Sequence, residues 1–348
     1  MTAPLLITMG DPVGIGPEVI ARAFVQGAGE GCVVAGDLGV MRRAMALLPE
    51  PWPVARLDVP LDAGDCPPRC LPLWQPAGLA PQLDTLPWGR VDARAGAAAA
   101  ACIEAAVRAL QRGEARAIVT APLHKAALAA AGVPYPGHTE MLQALAGGMP
   151  VRMMLANQEL RVVLVTIHMA LRAAIDAVTF DAVLETLRIA HRSCDALHIE
   201  NGCGAKLRIA NEGGAKLRIA VAGLNPHAGE DGLFGDEEQR IIGPAVAAAR
   251  AEGIDVQGPF APDTVFMRAR RGEFDLVVAM THDHGLIPVK YLGVEQGVNV
   301  TLGLPFVRTS PDHGTAFDIA GRGVADASSL VAAIGWARRA LVAAERRA

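Results

Sequence analysis

The sequence predicts an α/β protein in which helices cover both faces of a parallel sheet. Short apolar and often β-branched runs alternate along the chain with Ala-rich stretches of helical period, which is the pattern of successive βαβ units. Hydrophobic residues make up 51% of the chain and charged residues 20%, a composition typical of folded α/β proteins and too apolar for a disordered chain.

The expected elements follow one another from the start of the chain. The run LLITM forms the first strand and leads through the loop GDPVGIG into the helical stretch PEVIARAFVQ. Pro17 suits the first turn of that helix, because its fixed φ angle and missing N–H are harmless there. The next pairs are CVVAG with LGVMRRAMALL and ARAIVTAP with HKAALAAAG. Residues 50–90 are rich in proline and predict loops and short edge strands.

The loop GDPVGIG leaves two interpretations open. Gly14 and Gly16 resemble a phosphate cradle, but neither a third glycine at the dinucleotide-binding spacing nor a Lys-Ser/Thr pair follows them. The alternative is a tight strand-to-helix turn, in which Glu18 is only a first-turn carboxylate that favours the helix dipole.

A chain of 348 residues exceeds what one hydrophobic core usually supports, so we expect two domains. No strong linker is visible, which favours a second domain inserted into the first. We predict a first domain of residues 1–135 plus 285–348 and an inserted domain of residues 136–284.

Composition also argues against several classes of partner. The net charge is −4 with both signs interspersed, so no basic stripe is available for nucleic acid. The chain has no basic segment before the first strand and no uncharged apolar run near the roughly 18 residues of a membrane span, so we expect a cytoplasmic protein without membrane contact. The six cysteines include no C-x-x-C pair and are expected to be reduced thiols.

Three strand-like runs end in histidine. VVLVTIH ends at His168, DLVVAMTH ends at His282, and LRIAVAGLN is followed by Pro226 and His227. Because ligands collect at the carboxyl ends of parallel strands, these imidazoles are candidates for one metal site. The alternative is three unrelated loop histidines.

Several motifs together resemble the 4-hydroxythreonine-4-phosphate dehydrogenases of vitamin B6 synthesis, in order from residue 7 to about residue 335. They are TMGDPVGIGPEV, TAPLHK, GHTEML, IHMALR, GLNPHAGEDGLFGDEE, GPFAPDTVF, THDHGLIPVK and GVNVTLGLPFVRTSPDHGTAFDIAG. The resemblance implies NAD- or NADP-dependent oxidation of 4-phosphooxy-L-threonine to 2-amino-3-oxo-4-(phosphooxy)butanoate. This product loses CO2 to give 3-amino-2-oxopropyl phosphate, on the route to pyridoxine 5'-phosphate.

The resemblance also implies the site residues. The family's three metal-binding histidines match His168, His227 and His282, which hold a divalent ion such as zinc, cobalt or magnesium. Its substrate contacts match His138, Thr139, Lys290, Asn299 and Arg308. Members of the family are homodimers with each active site at the subunit interface, so that a histidine can come from the partner chain.

The segment SPDHGTAFDIAGRGVAD is also similar to the cofactor loop of the isocitrate and isopropylmalate dehydrogenases. That fold has two α/β/α domains with a cleft between them, and it binds the dinucleotide without a glycine fingerprint. The resemblance implies cofactor contacts from His313, Gly314, Thr315 and Ala316, and the alternative is a simple helix-entry loop. No residue can be matched to the ribose 2′ position, which leaves NAD and NADP equally open.

One residue departs from the family pattern. The family's usual His-Asp-Gln is here His282, Asp283 and His284, so an additional imidazole lies beside the site. It either replaces the hydrogen bond of the glutamine amide or competes as a ligand. Asp283 and Asp263 are candidates to orient metal-bound imidazoles, and their alternative role is to cap local turns.

Two other functions remain open for these residues. A metal-dependent hydrolase or aldolase would use the three histidines equally well but would leave HGTAFDIAG without a purpose. A paralogous dehydrogenase of a sugar-acid phosphate or a cyclic diol would use both. Lys290, Asn299 and Arg308 fit a phosphorylated substrate. Lys290 and Arg308 are the candidate anion holders, because cationic side chains suit phosphate and carboxylate groups.

Residues 204–213 and 214–223 are near-identical copies, GAKLRIANEG and GAKLRIAVAG. Only the second copy continues into the apolar run that leads to His227, so it is expected to form the buried strand. The first ends in a strong turn signal and is expected to lie at the periphery, away from the metal site.

Overall fold

The computed structural model describes residues 2–196 and 217–345. It contains two compact units, which we call unit 1 (Met1–Pro150 with Leu304–Val342) and unit 2 (mainly Val151–Gly303). The expected domain limits at residues 135 and 285 stay a prediction. Residues 136–150 fall in unit 1 and residues 285–303 fall in unit 2. The first copy of the duplication, residues 204–213, lies outside the described residues.

The described residues contain strands and helices in the predicted alternation. The strands are β1 (Leu5–Thr8), β2 (Cys32–Ala35), β3 (Val54–Leu57), β4 (Leu71–Trp74), β5 (Ala117–Thr120), β6 (Arg152–Ala156), β7 (Arg161–Leu164), β8 (Ile219–Ala222), β9 (Val256–Phe260), β10 (Leu276–Ala279), β11 (Val298–Leu302) and β12 (Val307–Pro311). The helices are α1 (Gly16–Val25), α2 (Leu38–Met45), α3 (Ala93–Gln111), α4 (Lys125–Ala130), α5 (His138–Leu145), α6 (Leu171–Ala177), α7 (Phe180–Ala196), α8 (Gly243–Ala251), α9 (Val265–Arg270), α10 (His282–Tyr291) and α11 (Ser328–Glu345). Shorter 3-10 turns lie at Pro60–Asp65, Leu83–Thr85, Pro226–Gly232 and Val294–Gln296, and a π-helical turn spans Glu238–Ile242.

The strands of unit 1 follow the order β3-β4-β2-β1-β5-β12, and all of their pairings are parallel. Strands β1, β2 and β5 are buried along their whole length. Parallel strands buried on both faces read as continuous apolar runs, which is why LLIT and AIVT could be recognised in the sequence. The short strands β3 and β4 lie at one end of this order, as predicted for the proline-rich stretch.

The strands of unit 2 follow the order β11-β6-β7-β10-β8-β9. Strand β6 is antiparallel to both of its neighbours, unlike the wholly parallel sheet expected from the sequence. The reason is the short connection between β6 and β7, since a parallel pair needs a crossover of a dozen or more residues. Asn157 closes this connection, because its Oδ1 accepts the backbone N–H groups of Glu159 and Leu160, each at 2.8 Å.

Strand β8 belongs to the second copy of the duplication, as predicted, and is fully buried. Its position beside β10 is fixed at the amino end by Arg218. The guanidinium donates to Asp275 at 3.1 and 2.8 Å, and the backbone N–H of Arg218 donates to the same carboxyl at 2.9 Å. This buried aspartate therefore sets the register of β8 against β10.

In the part of the chain that the structure describes, no helix is long and apolar enough to cross a membrane.

Candidate active site

The three predicted histidines follow three neighbouring strands of unit 2. Strand β10 pairs in parallel with β7 on one side and with β8 on the other. His168 follows β7, His282 follows β10, and His227 follows β8. The carboxyl ends of adjacent parallel strands lie at the same edge of a sheet, so all three imidazoles start from one edge.

His168 and His282 lie side by side, with their ring centroids 5.5 Å apart. The pairing of β7 with β10 continues beyond the ends of both strands, because the N–H groups of Val165 and Thr166 donate to the carbonyls of Ala279 and Met280. This continued pairing brings the two imidazoles together. The buried Thr166 hydroxyl also donates to the Met280 carbonyl at 2.8 Å. The backbone on both sides of this pair of imidazoles is therefore held in place.

His282 is the first residue of α10, which packs closely on β7. A Cβ atom at Gly285 would lie 2.4 Å from the Leu164 side chain, so any larger residue here would force the packed side chains to shift. The Nδ1 atom of His282 is hydrogen-bonded to the Asp283 carboxyl at 2.7 Å. Its Nε2 atom is left available, which fits metal-binding histidines, because they commonly bond a carboxylate through the other ring nitrogen.

His227 lies in a left-handed turn and is 64% exposed. Its Nδ1 atom bonds the Glu230 carboxyl at 2.8 Å, and its ring meets Phe234 edge-on at 5.9 Å. Here too Nε2 is the nitrogen available for a ligand. Among the described residues, no group of three or more His, Cys, Asp or Glu side chains is close enough to hold a metal ion, so one chain brings together the pair of His168 and His282 but not all three histidines.

The other candidates of unit 2 lie on nearby elements. Asn299 is half-buried in β11, and Lys290 is exposed in the last turn of α10. Asp263 is exposed, and the described contacts do not link its side chain to an imidazole. His284 is half-buried, its Nδ1 atom has no hydrogen-bond partner among the described residues, and burial lowers its pKa despite the neighbouring Asp283.

Unit 1 holds a separate polar cluster made of a buried arginine and a histidine. Arg308 on β12 is only 2% exposed, and its guanidinium donates to the Thr120 hydroxyl at 2.6 Å. Burial lowers the pKa of Arg308 to about 10, so it stays charged near neutral pH. Burial and the Arg308 charge hold the pKa of His138 well below its usual range, so this ring is neutral. The half-buried Thr139 follows His138 in the first turn of α5.

The expected cofactor loop packs on the glycine loop of unit 1. The Ile15 N–H donates to the Thr315 carbonyl at 3.0 Å, and a Cβ atom at Gly14 would lie 3.0 Å from the Thr315 side chain. His313 is bonded to the Gly314 carbonyl at 3.0 Å, and Ala316 has a left-handed φ of 40°. Around Gly314 a side chain would meet nothing within 4 Å, which leaves open space beside its backbone.

Three acidic side chains are placed in ways that sequence reasoning missed. Asp11 is buried, accepts the Val13 N–H at 3.0 Å, and has a pKa raised to about 6, because its burial outweighs that hydrogen bond and the nearby His124. Glu230 contacts His227. Its position three residues after His227 is the sequence signal that could have indicated this contact. Glu238, which is 4% exposed, accepts hydrogen bonds from the residues before His227, and no local pattern indicated this.

His124 lies directly before α4 and stacks on Phe317, with ring centroids 4.5 Å apart at 16°. The stretch HKAALAAAG was expected to be helical, and the observed contact of His124 is a packing contact.

The fold and the polar side chains described above define a two-unit α/β protein with histidines at the strand ends of one unit and a buried cation in the other. The model of the family "Pyridoxal phosphate biosynthetic protein PdxA" matches residues 29–337. The chain belongs to this family, which is a family of dehydrogenases and implies a nicotinamide cofactor.

Relatives with known names agree with this assignment. The chain is 54% identical over 338 residues to 4-hydroxythreonine-4-phosphate dehydrogenase of Beijerinckia indica, covering 97% of this chain and 94% of that one. It is 44% identical over 341 residues to D-threonate 4-phosphate dehydrogenase of Pectobacterium atrosepticum, covering 96% and 98%. The crystal structure of 4-hydroxythreonine-4-phosphate dehydrogenase from Klebsiella pneumoniae superimposes with a TM-score of 0.85 at 42% identity, covering 98% of this chain and 100% of that one. These similarities confirm the predicted family and α/β fold class.

Proposed function

We propose that the chain is a divalent-metal-dependent dehydrogenase that oxidises 4-phosphooxy-L-threonine with NAD or NADP, in the synthesis of pyridoxine 5'-phosphate. The product is 2-amino-3-oxo-4-(phosphooxy)butanoate, which loses CO2 to give 3-amino-2-oxopropyl phosphate. The observation that carries this proposal is the 54% identity to a 4-hydroxythreonine-4-phosphate dehydrogenase over 97% of the chain.

His168, His227 and His282 are the proposed metal ligands. Their chemistry fits a zinc or cobalt ion, because imidazole nitrogen suits these metals and because His227 and His282 each bond a carboxyl through Nδ1 and leave Nε2 for a ligand. Bound there, a divalent ion would supply Lewis acidity that makes the secondary hydroxyl of the substrate easier to deprotonate. Asp283 and Glu230 keep the rings in one orientation and one tautomer.

We propose further that the chain acts as a homodimer in which His227 completes the ligand set of the partner chain. Exposed apolar side chains follow all three histidines, as expected of a surface covered by another protein. They are Met169, Leu171 and Ile175 after His168, Leu233 and Phe234 after His227, and Ile287 and Tyr291 after His282. If His227 binds the metal of the partner chain, each chain needs to bring together only His168 and His282, which is the pair found among the described residues.

The substrate's anionic groups are assigned to cationic side chains. Arg308 is the proposed phosphate holder, because a buried guanidinium that stays charged gains most from an anion. The neutral His138 beside it can share a hydrogen bond without adding charge. Thr139, Lys290 and Asn299 are further proposed substrate contacts, and Asp263 stays a candidate to orient a ligand.

The nicotinamide would accept the substrate hydride, and residues 313–316 are the proposed contacts of its dinucleotide. The open space at Gly314 allows a ligand to approach the backbone, and the Thr315 carbonyl is fixed by Ile15. The cytoplasmic location expected from the sequence stays a prediction.

A second candidate function is oxidation of D-threonate 4-phosphate, which the 44% identity to the Pectobacterium enzyme favours. The two substrates share the phosphate, the carboxylate and the reacting alcohol, and they differ in an amino or a hydroxyl group at the neighbouring carbon. Arg308 suits both, so the discrimination depends on other contacts.

The test is purified enzyme with Zn2+, Co2+ or Mg2+, NAD or NADP, and each of the two phosphorylated substrates, with the absorbance of the reduced nicotinamide as readout. We expect a higher kcat/KM with 4-phosphooxy-L-threonine. A higher value with D-threonate 4-phosphate would favour the second function, and no reduction with either substrate and any of these ions would contradict both.

A further inference from the structure

The turn that carries His227 has an unusual backbone. Residues 227–231 all have positive φ angles, between 44° and 83°, and Gly229 alone among them is a glycine. Side chains with a Cβ atom are disfavoured in this left-handed region, so a run of such residues needs support from its surroundings. Within the turn itself, the described side-chain contact is the exposed bond between His227 and Glu230.

That support comes from Glu238, which lies in the π-helical turn further along the chain. One carboxyl oxygen accepts the N–H groups of Leu224 and Asn225 at 2.6 and 2.8 Å. The other accepts the Asn225 side-chain amide at 3.0 Å. Leu224 and Asn225 connect β8 to the turn, so one buried carboxyl fixes the backbone that leads directly to His227.

The surrounding glycines show how closely this carboxyl is enclosed. A Cβ atom at Gly223 would lie 2.9 Å from one oxygen of Glu238, and a Cβ atom at Gly229 would lie 2.8 Å from the other. The carboxyl therefore touches backbone both before and inside the turn. Glu237 adds only one bond, which it accepts from the Asn225 side chain at 2.6 Å.

We propose that Glu238 is a positioning residue for metal binding, which holds the turn of residues 226–232 in the left-handed form that presents His227. This inference rests on the proposed function, in which His227 is a metal ligand. Glu238 is not itself among the proposed ligands of the ion or contacts of the substrate. It acts through the backbone of Leu224 and Asn225, and π-helical turns such as its own often occur at functional sites.

The test measures the binding of Co2+ alone to metal-free full-length protein, by titration and by the visible absorption of the bound ion. Glu238→Gln keeps the shape of the side chain but places an amide N–H2 where one accepting oxygen stands. We expect Co2+ affinity to fall about 10- to 100-fold, as for other residues that support a metal ligand, with a changed absorption spectrum.

Glu18→Gln is the matched control. Glu18 is also fully buried and also accepts a backbone N–H, that of Ala325 at 2.7 Å, but it lies in unit 1. We expect this variant to lower the Tm while Co2+ affinity and spectrum stay those of the wild type. A merely structural role of Glu238 would give the same result as the control and would overturn the inference.

His227→Ala separates the inference from the proposed function. Unchanged Co2+ binding in His227→Ala would refute His227 as a ligand, whereas a loss in His227→Ala together with wild-type binding in Glu238→Gln would refute only the role of Glu238. If Glu238→Gln does not fold, Asn225→Ala removes both side-chain bonds, to Glu237 and to Glu238, and leaves both backbone bonds to Glu238. We expect a few-fold weaker Co2+ binding from it, and wild-type affinity would again overturn the inference.

Discussion

Replacing Arg308 by methionine should weaken substrate binding without destabilising the protein. Burial lowers the pKa of Arg308 from 12.5 to about 10, which corresponds to roughly 3 kcal/mol of unfavourable free energy for the charged side chain in the folded state. Loss of its hydrogen bonds, of which the one to Thr120 measures 2.6 Å, costs about 1.5 kcal/mol each in return. The free energy of unfolding should therefore stay the same or rise by up to about 2 kcal/mol.

The same change should raise the KM for the phosphorylated substrate. Loss of a charge-assisted contact costs about 1.5 to 3 kcal/mol, or about 10- to 150-fold in binding. Thermal unfolding and steady-state kinetics of Arg308→Met measure the two effects. Arg152→Met serves as the contrast in unit 2, since it breaks the 2.7 Å pair with Glu185 and should lower the Tm without affecting the KM. A loss of more than about 1 kcal/mol in the stability of Arg308→Met, or an unchanged KM, would refute the reasoning.

Three further predictions concern metal, pH and chain length. Alanine at His168, His227 or His282 should abolish turnover and lower the metal content measured by elemental analysis, and an unchanged metal content in all three variants would refute the ligand assignment. The pKa of Asp11 is raised from 3.8 to about 6, so the folded state binds more protons than the unfolded state between these pH values. The folded state therefore loses stability as the pH rises from about 4 to 6. Urea unfolding of Asp11→Asn should show a flatter pH dependence of the unfolding free energy in that window, and a slope equal to that of the wild type would contradict this. Deleting residues 204–213 should leave solubility and activity close to wild type, and an insoluble or inactive protein would show that the first copy is structural.

The strand-end histidines were predictable because two simple signals coincide. Buried parallel strands appear as continuous apolar runs, and a histidine directly after such a run is placed at the carboxyl edge of the sheet. The sequence therefore indicated His168, His227 and His282, and their strands β7, β8 and β10 are indeed parallel neighbours. The distances between the three imidazoles could not be predicted from the same signals, because these distances depend on the path of each loop after its strand.

Other features depend on contacts that a sequence pattern does not encode. The antiparallel strand β6 results from a connection closed by Asn157, and the stretch NQEL does not contain a strong turn pair such as Asn-Gly. Glu238 contacts Leu224 and Asn225 across 14 and 13 residues of chain, through a π-helical turn that has no simple sequence signature. The raised pKa of Asp11 results from its burial, which only the folded chain determines.

The exposed apolar side chains that follow each histidine have a consequence for the order in which an active enzyme is assembled. In the proposed homodimer one metal ligand comes from the partner chain. Metal affinity would then depend on protein concentration, because dilution would separate the ligands as it separates the chains. Thermodynamic linkage would make the effect reciprocal. Binding of the metal ion would strengthen the association of the two chains by the same factor by which association of the chains strengthens binding of the ion. A cell that limits the ion would thereby also limit the amount of assembled enzyme, even when the polypeptide itself is abundant.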